Sequence, residues 1–475
     1  MIIWSIAWKN VWRNKRRSLV VIAAVTIGII SGVLLIGIWK GWTEQRLHDA
    51  IYNEVSHVQV HNNEFLKNEE IDLTVKNPDE IIRRIDSLQE VSGWTKRTKV
   101  VAMANTPWAN TGVILYGIDP EKEKQVTEIY KKVLPDAGEY PDTNNPGGIL
   151  ISDKTAEILK LKQYLVTNGI IVELREQKVP EPILEQLKNF KDQRFRSPKD
   201  FREALKGVFN KKELDRYGSL VMDRALDYRL RSKIQITLSD LNGDPVQGIF
   251  RLCGIYKTTN TSFDQASVFV NARELADLYG SQDILTHEIA VLLNDIDECE
   301  IVKEKLSSIS PDNSVMTWRE LAPDAALMND FMIIYYFIFV GIIMLALAFG
   351  IINTMLMAIL ERTKELGMLM AIGMNRKRIF NMIMLETIFL TIVGAIAGML
   401  SGWVIIRVLG LTGIQFTGWG EGFEAIGFAA KVFPVITPDF FMFTTIMVIV
   451  TAIISSIGPA RKALKLNPVE TLRTE

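Results

Sequence analysis

Four long apolar stretches constrain the fold of this 475-residue chain more than any other feature of its sequence. Each has roughly 18 or more predominantly apolar residues, which lets an α-helix cross a bilayer core of about 30 Å. They cover residues 19–39, 331–360, 379–408 and 440–457. A long polar region separates the first stretch from the second. The sequence therefore predicts an α-helical membrane protein with four transmembrane helices and one large domain between spans 1 and 2.

The distribution of lysine and arginine near the spans predicts their orientation. These residues cluster before the first span, between the second and third, and after the fourth, at Lys9, Arg13, Lys15, Arg16, Arg17, Arg362, Lys364, Arg376, Lys377, Arg378, Arg461, Lys462, Lys465 and Arg473. The loop between the third and fourth spans has only Lys431. Because cytoplasmic segments carry the excess positive charge, we expect both termini in the cytoplasm and the large domain in the periplasm.

These boundaries divide the chain into successive segments. They are an interfacial amphipathic helix (1–18), span 1 (19–42), a periplasmic domain (43–329), span 2 with a stalk (330–360), a cytoplasmic helix (361–378), span 3 (379–408), a periplasmic loop (409–438), span 4 (439–458) and a cytoplasmic tail (459–475). As a helix, the second apolar stretch would reach roughly 45 Å. It must therefore tilt or project from the membrane as a stalk.

Three tryptophans precede the first span at a spacing of four residues, Trp4, Trp8 and Trp12. On a helix this spacing places the three rings on one face, as in helices that lie in the membrane interface. Such a helix could be a lever that links span 1 to cytoplasmic events, or only a topological anchor. The sequence leaves both interpretations open.

The periplasmic domain is predicted to be mixed α/β. Strands are expected at residues 55–60 and 112–118, a helix from Pro78 with Asn77 as its N-cap, a strand–helix–strand unit over 287–318, and two strands joined by an Asn-Gly turn over 233–255. We expect residues 43–118 and 284–329 to form a membrane-proximal subdomain. Residues 119–283 would form a distal, β-rich subdomain, with a charged helical insert at 180–231 that we interpret mainly as a solvated surface.

No motif for catalysis or nucleotide binding occurs in the sequence. There is no glycine-rich loop ending in Gly-Lys-Ser/Thr, no Gly-x-Ser-x-Gly elbow and no His-Glu-x-x-His helix. His57 and His61 would lie about 13 Å apart along a strand, too far to bind one metal ion. Cys253 and Cys299 are more simply explained as buried thiols than as a disulfide. We therefore expect no enzyme activity, metal or cofactor in this chain, and its net charge of -1 gives no sign of nucleic-acid binding.

Polar and small residues within the spans indicate helix packing. Asn353 and Glu386 lie in apolar stretches, where polar groups are costly. They either form hydrogen bonds that fix the packing of the helices or take part in gating. Gly394, Gly398 and Gly402 follow one face of the third span, and small residues at this spacing let helices approach closely.

The segment between spans 2 and 3 indicates a surface helix. Its apolar residues recur at helical spacing among the charges, at Leu366, Leu369, Met370 and Ile372. A cytoplasmic helix between two spans is what a permease needs if a separate motor protein is to push on it. We expect Leu366 and Leu369 to enter a groove on that protein, so Leu366→Asp should uncouple the complex without unfolding the permease.

Several motifs resemble the FtsX/MacB-type permeases of ABC transporters. In the membrane half they are NTMLMAILERTKELGMLMAIGMNRKRI, LETIFLTIVGAIAGMLSG, the opening IAWKNVWRNKRRSLV and the closing IGPARKALKLNPVETLR. In the outer domain, GVILYGIDPEKE and GGILISDKTAEILKL look similar to the lipoprotein-releasing, LolC/LolE-like branch. The charged insert has no counterpart in that branch.

This resemblance implies a permease that pairs with a second permease, identical or paralogous, and binds two copies of a cytoplasmic ATPase subunit. ATP and magnesium would be bound by that ATPase. The residues that match the family's coupling helix are Glu361, Arg362, Lys364, Glu365, Leu366, Gly367, Leu369, Ala371 and Gly373. The implied mechanism is mechanotransmission, and the implied substrate is a lipoprotein or another amphiphile. Alternatives are an FtsX-like relay to a cell-wall hydrolase and MacB-like efflux of amphiphilic compounds or peptides.

Overall fold

The structure is a computed structural model that describes residues 2–13, 15–142, 146–416, 418, 420–425 and 427–464. The chain forms two compact units. Unit 1 comprises Met1–Gln45, Leu327–Gly420 and Ala429–Glu475, and unit 2 comprises Arg46–Ala326 and Glu421–Phe428. Most of the predicted cytoplasmic tail, including Lys465 and Arg473, lies outside the described residues.

Unit 1 is helical, and its helices are named here for the rest of the text. They are the N-terminal helix (Ile2–Arg13), span 1 (Lys15–Asp49), span 2 (Pro323–Glu361), the bridging helix (Thr363–Ala371), span 3 (Arg376–Thr412) and span 4 (Pro438–Ala463). In the described part of the chain, the four spans are the helices long and apolar enough to cross a membrane. The predicted four-span architecture is confirmed.

The spans pack through one apolar core in which every span takes part. Its fully or almost fully buried residues include Val25 and Ile29 of span 1, Ile351 of span 2, Ile379 of span 3 and Val448 of span 4. Many other large apolar side chains of the spans face outward, as expected for helices in contact with lipid. The loop after span 3 forms a small ribbon from Ile414–Gln415 and Lys431–Val432.

Unit 2 contains a large mixed sheet. Its strands and those of a smaller sheet are β1 (Val58–Asn62), β2 (Val91–Asn105), β3 (Asn110–Ile118), β4 (Val133–Gly138), β5 (Gly148–Ser152), β6 (Lys162–Leu165), β7 (Arg194–Phe195), β8 (Leu226–Tyr228), β9 (Lys233–Ser239), β10 (Pro245–Tyr256), β11 (Ser267–Asn271), β12 (Glu288–Leu293) and β13 (Asn313–Thr317). The ten-stranded sheet has the order β13-β1-β12-β2-β3-β11-β5-β10-β4, with β9 pairing to β10 and β2. The three-stranded sheet has the order β7-β6-β8.

Short helices cover these sheets and confirm the predicted mixed α/β class. They are Phe65–Asn68, Pro78–Ile85, Pro120–Glu123, Asp153–Ile158, Asn168–Glu176, Glu181–Lys188, Pro198–Val208, Lys211–Ala225, Thr261–Ala266, Ala272–Leu278, Cys299–Ile309 and Trp318–Leu321, with a π-helix at Ala50–Val55 and 3-10 turns at Ile129–Lys132 and Ile296–Glu298. A further helix, Gly420–Ala425, follows span 3. Cys253 and Cys299 are free thiols.

Most strands and helices predicted for unit 2 are present, and the differences concern the start of the first strand, the N-cap of one helix and the length of one turn. The strands β3, β12 and β13 and the helix Cys299–Ile309 are confirmed. The first strand begins at Val58 and not at residue 55, because the backbone stays helical through Val55. The helix from Pro78 is confirmed, but Asn77 is left-handed (φ 53°) and its side chain makes no capping hydrogen bond.

The predicted hairpin over residues 233–255 is confirmed as the antiparallel pair β9–β10, but its turn is longer than an Asn-Gly pair. Ser239 is paired with Pro245, so five residues connect the strands. The Asp240 carboxylate accepts hydrogen bonds from the backbone N–H groups of Asn242 and Asp244. This side chain therefore organises the turn, and Gly243 supplies the left-handed backbone it needs (φ 84°).

The division into two subdomains differs from the predicted one. A single sheet includes strands from both predicted parts, because β11 pairs with β3 and β9 pairs with β2. The separate body is smaller: β6, β7, β8 and four helices enclose their own core around residues that include Leu174, Leu184, Phe201 and Val221. The charged insert thus has an apolar interior beneath its charged surface.

Candidate functional site

The bridging helix is a short element whose end is fixed by backbone geometry. Its last turn closes with hydrogen bonds from Gly373 N–H to Met370 O (3.0 Å) and from Met374 N–H to Leu369 O (3.0 Å). Gly373 has φ 95°, a left-handed conformation that glycine adopts at little cost. This pattern is a Schellman motif. Gly373 therefore ends the helix and directs the chain into span 3.

The exposure of the bridging helix separates residues that hold it in place from residues that could meet a partner. Leu366 is only 3% exposed and belongs to the apolar core of unit 1, and Gly367 is also buried. Met368 is 52% and Ile372 79% exposed. Leu369 is partly buried, whereas Lys364, Ala371 and Gly373 are exposed.

The prediction that Leu366 enters a groove on a partner is therefore wrong. The spacing of apolar residues places them on one face, but it does not say whether the protein's own spans or a partner cover that face. Here Leu366 packs against the spans. Leu366→Asp would bury a charge and destabilise unit 1, so it cannot separate docking from folding. The exposed apolar groups are Met368 and Ile372.

Ion pairs attach the bridging helix to span 3. The Arg362 guanidinium, directly before the helix, donates to both carboxylate oxygens of Glu386, at 3.0 and 3.2 Å. Its Nε also donates to Glu365 Oε2 at 3.1 Å. The Glu386 side chain is 5% exposed and accepts these hydrogen bonds, and its packing role stays a prediction. A gating role for Glu386 stays a prediction.

The N-terminal helix also reaches this region. Arg13, its last residue, donates a hydrogen bond to Glu365 Oε1. Trp4 and Trp8 stack edge-on against Phe389 of span 3, with ring centroids 5.6 and 5.4 Å apart. The hydrogen bond from Arg13 and then that from Arg362 lower the pKa of Glu365 below its ordinary value. Glu365 is thus held as a carboxylate by two arginines of its own chain, Arg13 and Arg362.

Two predicted residues lie on a groove beside span 2. Asn353 and Glu361, both exposed, line a groove of about 390 Å³ together with Arg16, Val20 and Met357. Asn353 is therefore an exposed residue of span 2 and not a buried packing residue. Its gating role stays a prediction.

The glycines of span 3 pack against span 1, as their spacing predicts. A Cβ atom at Gly394 would lie 2.9 Å from Ile22 O, and one at Gly398 would lie 2.9 Å from Ile29 Cβ. At Gly402 the nearest atom, Val33 Cγ1, would be 3.6 Å away. Of these three glycines, Gly394 and Gly398 therefore make the tighter contacts with span 1.

Sequence analysis missed that Arg13 belongs to this site and that Arg362 pairs with Glu386. An acid inside an apolar span needs a cationic partner, and a basic residue at the end of the preceding span was the available signal. Among the described residues, no group of three or more His, Cys, Asp and Glu side chains could hold a metal ion.

A known protein family matches the part of the chain that contains the bridging helix. Residues 337–468 match the family described as FtsX-like permease C-terminal. An uncharacterized ABC transporter permease of Methanocaldococcus jannaschii, MJ1507, is 29% identical over 235 residues, 48% of this chain and 55% of that protein. The macrolide export ATP-binding/permease protein MacB of Chlorobium luteolum is 34% identical over 126 residues, 26% of this chain and 16% of that protein.

The solved extracellular domain of the noncanonic ABC-type transporter YknZ from Gram-positive bacteria covers 55% of this chain and 99% of its own, at 13% identity and a TM-score of 0.29. The chain spans about half the length of MJ1507. The matched region contains most of span 2 and all of the bridging helix, span 3 and span 4, so this part of the chain is similar to FtsX-like permeases.

Proposed function

We propose that this chain is the permease subunit of an ABC transporter and that its bridging helix is the surface on which a cytoplasmic ATPase docks. One observation carries the proposal: a short, firmly held helix between two spans presents exposed apolar and charged side chains within the FtsX-like segment. Met368 and Ile372 are its apolar contacts, and Lys364 and Ala371 lie exposed beside them. Two ATPase copies would bind ATP and magnesium and act on a pair of permeases.

The proposal includes an orientation. Lysine and arginine flank the N-terminal helix, the bridging helix and the end of span 4, whereas the loop of residues 409–438 has one lysine. By the positive-inside rule, the termini and the bridging helix face the cytoplasm and unit 2 faces the periplasm. The spans would lie in the bacterial inner membrane. Motion would pass from the ATPase to the outer domain by mechanotransmission, with membrane lipids around the spans.

The proposed substrate is amphiphilic. Lipoprotein release is the first candidate, because the outer-domain motifs GVILYGIDPEKE and GGILISDKTAEILKL look similar to the LolC/LolE-like branch. MacB-like efflux of amphiphilic compounds or peptides is the second candidate, favoured by the similarity to a macrolide export protein. An FtsX-like relay to a cell-wall hydrolase would use the same docking surface.

The first test is purification of the full chain in detergent together with the products of neighbouring genes. An ATPase subunit should co-purify, and co-purifying lipoproteins would support release. Recovery of a murein hydrolase in place of lipoproteins would support the relay. If no ATPase co-purifies and none is encoded nearby, the proposal is refuted.

The second test uses Ile372→Asp. Loss of a buried apolar anchor costs about 2 kcal/mol, and since about 1.4 kcal/mol is a tenfold change, ATPase affinity should fall roughly thirtyfold. The protein should still fold and insert, because Ile372 is 79% exposed. Ile249→Asp, which changes a 64% exposed isoleucine of unit 2, is the matched control and should retain the ATPase. Equal ATPase retention by both variants would refute docking at this surface.

A further inference from the structure

Four charged side chains of alternating sign connect three helices of unit 1. Arg13 of the N-terminal helix contacts Glu365 of the bridging helix. Glu365 is 3.1 Å from Arg362, and Arg362 is 3.0 Å from Glu386 of span 3. The order Arg13–Glu365–Arg362–Glu386 is continuous, with each central residue bonded on both sides.

The two ends of this series differ in exposure. Arg362 and Glu386 are 17% and 5% exposed, whereas Arg13 and Glu365 are 57% and 46% exposed. A buried pair is costly to separate, because each charge would be left without its partner. An exposed pair contributes little and opens readily. The inner pair therefore holds the bridging helix on span 3, and the outer pair is a joint that can open.

Glu365 is committed to its own chain. One carboxylate oxygen accepts from Arg13 and the other from Arg362. A partner protein that used Glu365 would have to break at least one of these bonds. The two ion pairs distinguish Glu365 from the exposed Lys364 of the same helix and from the exposed Ile372 directly after it.

We propose that Arg13, Glu365, Arg362 and Glu386 form an ion-pair relay that couples movement of the bridging helix to the N-terminal helix and span 3. The proposal rests on the proposed function in that the ATPase is what moves the bridging helix. Glu365 and Arg13 are then positioning residues and not ATPase contacts. The N-terminal helix becomes a lever, the first of the two interpretations that its sequence allows.

Charge reversal tests the relay in the full chain. Spin labels at Lys9→Cys and Lys364→Cys, in a Cys253→Ser/Cys299→Ser background, report the distance between the N-terminal helix and the bridging helix; both label sites are exposed. Arg13→Glu and Glu365→Arg should each broaden the distance distribution, and the double variant should narrow it again. Lys15→Glu, which reverses an exposed charge outside the relay, should leave it unchanged.

The same variants are compared with the bound ATPase. Each single reversal should lower the permease-dependent ATPase rate about threefold to fivefold, as expected for an exposed pair, while the ATPase stays bound. The double variant should recover only part of the rate, because it restores an ion pair between positions 13 and 365 but not the bond between Arg362 and position 365. Single reversals without effect on the distances, or a double variant whose distances stay as broad as those of the single reversals, would overturn the ion-pair relay. If the wild-type chain binds no ATPase, the proposed function fails, and the spin-label distances still decide whether the relay exists.

Discussion

The same substitution at three glycines of span 3 should have graded effects on stability. Alanine at Gly394 would place Cβ 2.9 Å from both Ile22 O and Val25 Cβ of span 1. At Gly398 the shortest distance, to Ile29 Cβ, is also 2.9 Å, whereas at Gly402 it is 3.6 Å. A contact below 3.0 Å forces a shift of the helices, and one of 3.6 Å is ordinary van der Waals contact.

The magnitude follows from two opposing terms. Overpacking a tight interface costs about 1–3 kcal/mol. Alanine regains up to about 1 kcal/mol of helix propensity at every one of these positions. Gly394→Ala and Gly398→Ala should therefore be destabilised by up to about 2 kcal/mol. Gly402→Ala should be neutral or slightly stabilised, because it has the gain without the clash.

The assay is reversible unfolding of the full chain in mixed micelles, followed by helical circular dichroism. Gly341→Ala of span 2 is the control, because a Cβ at Gly341 meets no atom within 4 Å. It measures the propensity gain alone. The reasoning is refuted if Gly402→Ala is destabilised as much as Gly398→Ala, or if Gly394→Ala behaves like Gly341→Ala.

Two further predictions concern unit 2. Burial raises the pKa of Asp264 from its ordinary 3.8 to about 7, although Thr258 donates a hydrogen bond to its carboxyl group. The folded state therefore binds the carboxyl proton more tightly than the unfolded state does. The resulting stabilisation is present below about pH 4 and is lost as the pH rises through 7. Asp264→Asn should remove this pH dependence. Relative to wild type, its free energy of unfolding should therefore be higher at pH 8 than at pH 4 by up to about 4 kcal/mol, and its melting temperature should be correspondingly higher at pH 8. Arg97, which is 3% exposed, forms ion pairs with the buried Glu123 and Glu288. Arg97→Met should lower the free energy of unfolding, measured with denaturant, by about 3–5 kcal/mol, because it leaves both buried carboxylates without a cationic partner. An unchanged denaturation midpoint would contradict this.

The sequence was sufficient for the membrane helices because the bilayer imposes a length and an apolar composition that few other elements share. It was also sufficient for β3, β12 and β13, because short segments with β-branched residues are local signals of strands. It was not sufficient for the sheet order. The pairing of β3 with β11 joins segments about 150 residues apart, and no local pattern encodes such a partner.

The candidate site shows the same limit at the scale of single residues. Helical spacing correctly predicted a short helix, but Leu366 within it is 3% exposed and Ile372 directly after it is 79% exposed. Likewise, the cost of a charge inside a span identified Glu386 as a residue that needs a partner, without identifying Arg362. Sequence patterns predict which groups must be satisfied, and only the folded chain determines which groups satisfy them.

A helix of nine residues is too short to be stable by itself in water. The bridging helix therefore depends on anchors from its own chain: Leu366 and Gly367 are buried, Arg362 is bonded to span 3, and Gly373 ends the last turn. Most of the residues predicted to couple this chain to an ATPase are thus occupied in holding the helix. Because it is held before any partner arrives, docking would not cost the entropy of ordering it. Under the proposed function, recognition of an ATPase would be left to the few exposed side chains, so Ile372→Asp and not Leu366→Asp is the variant that tests docking.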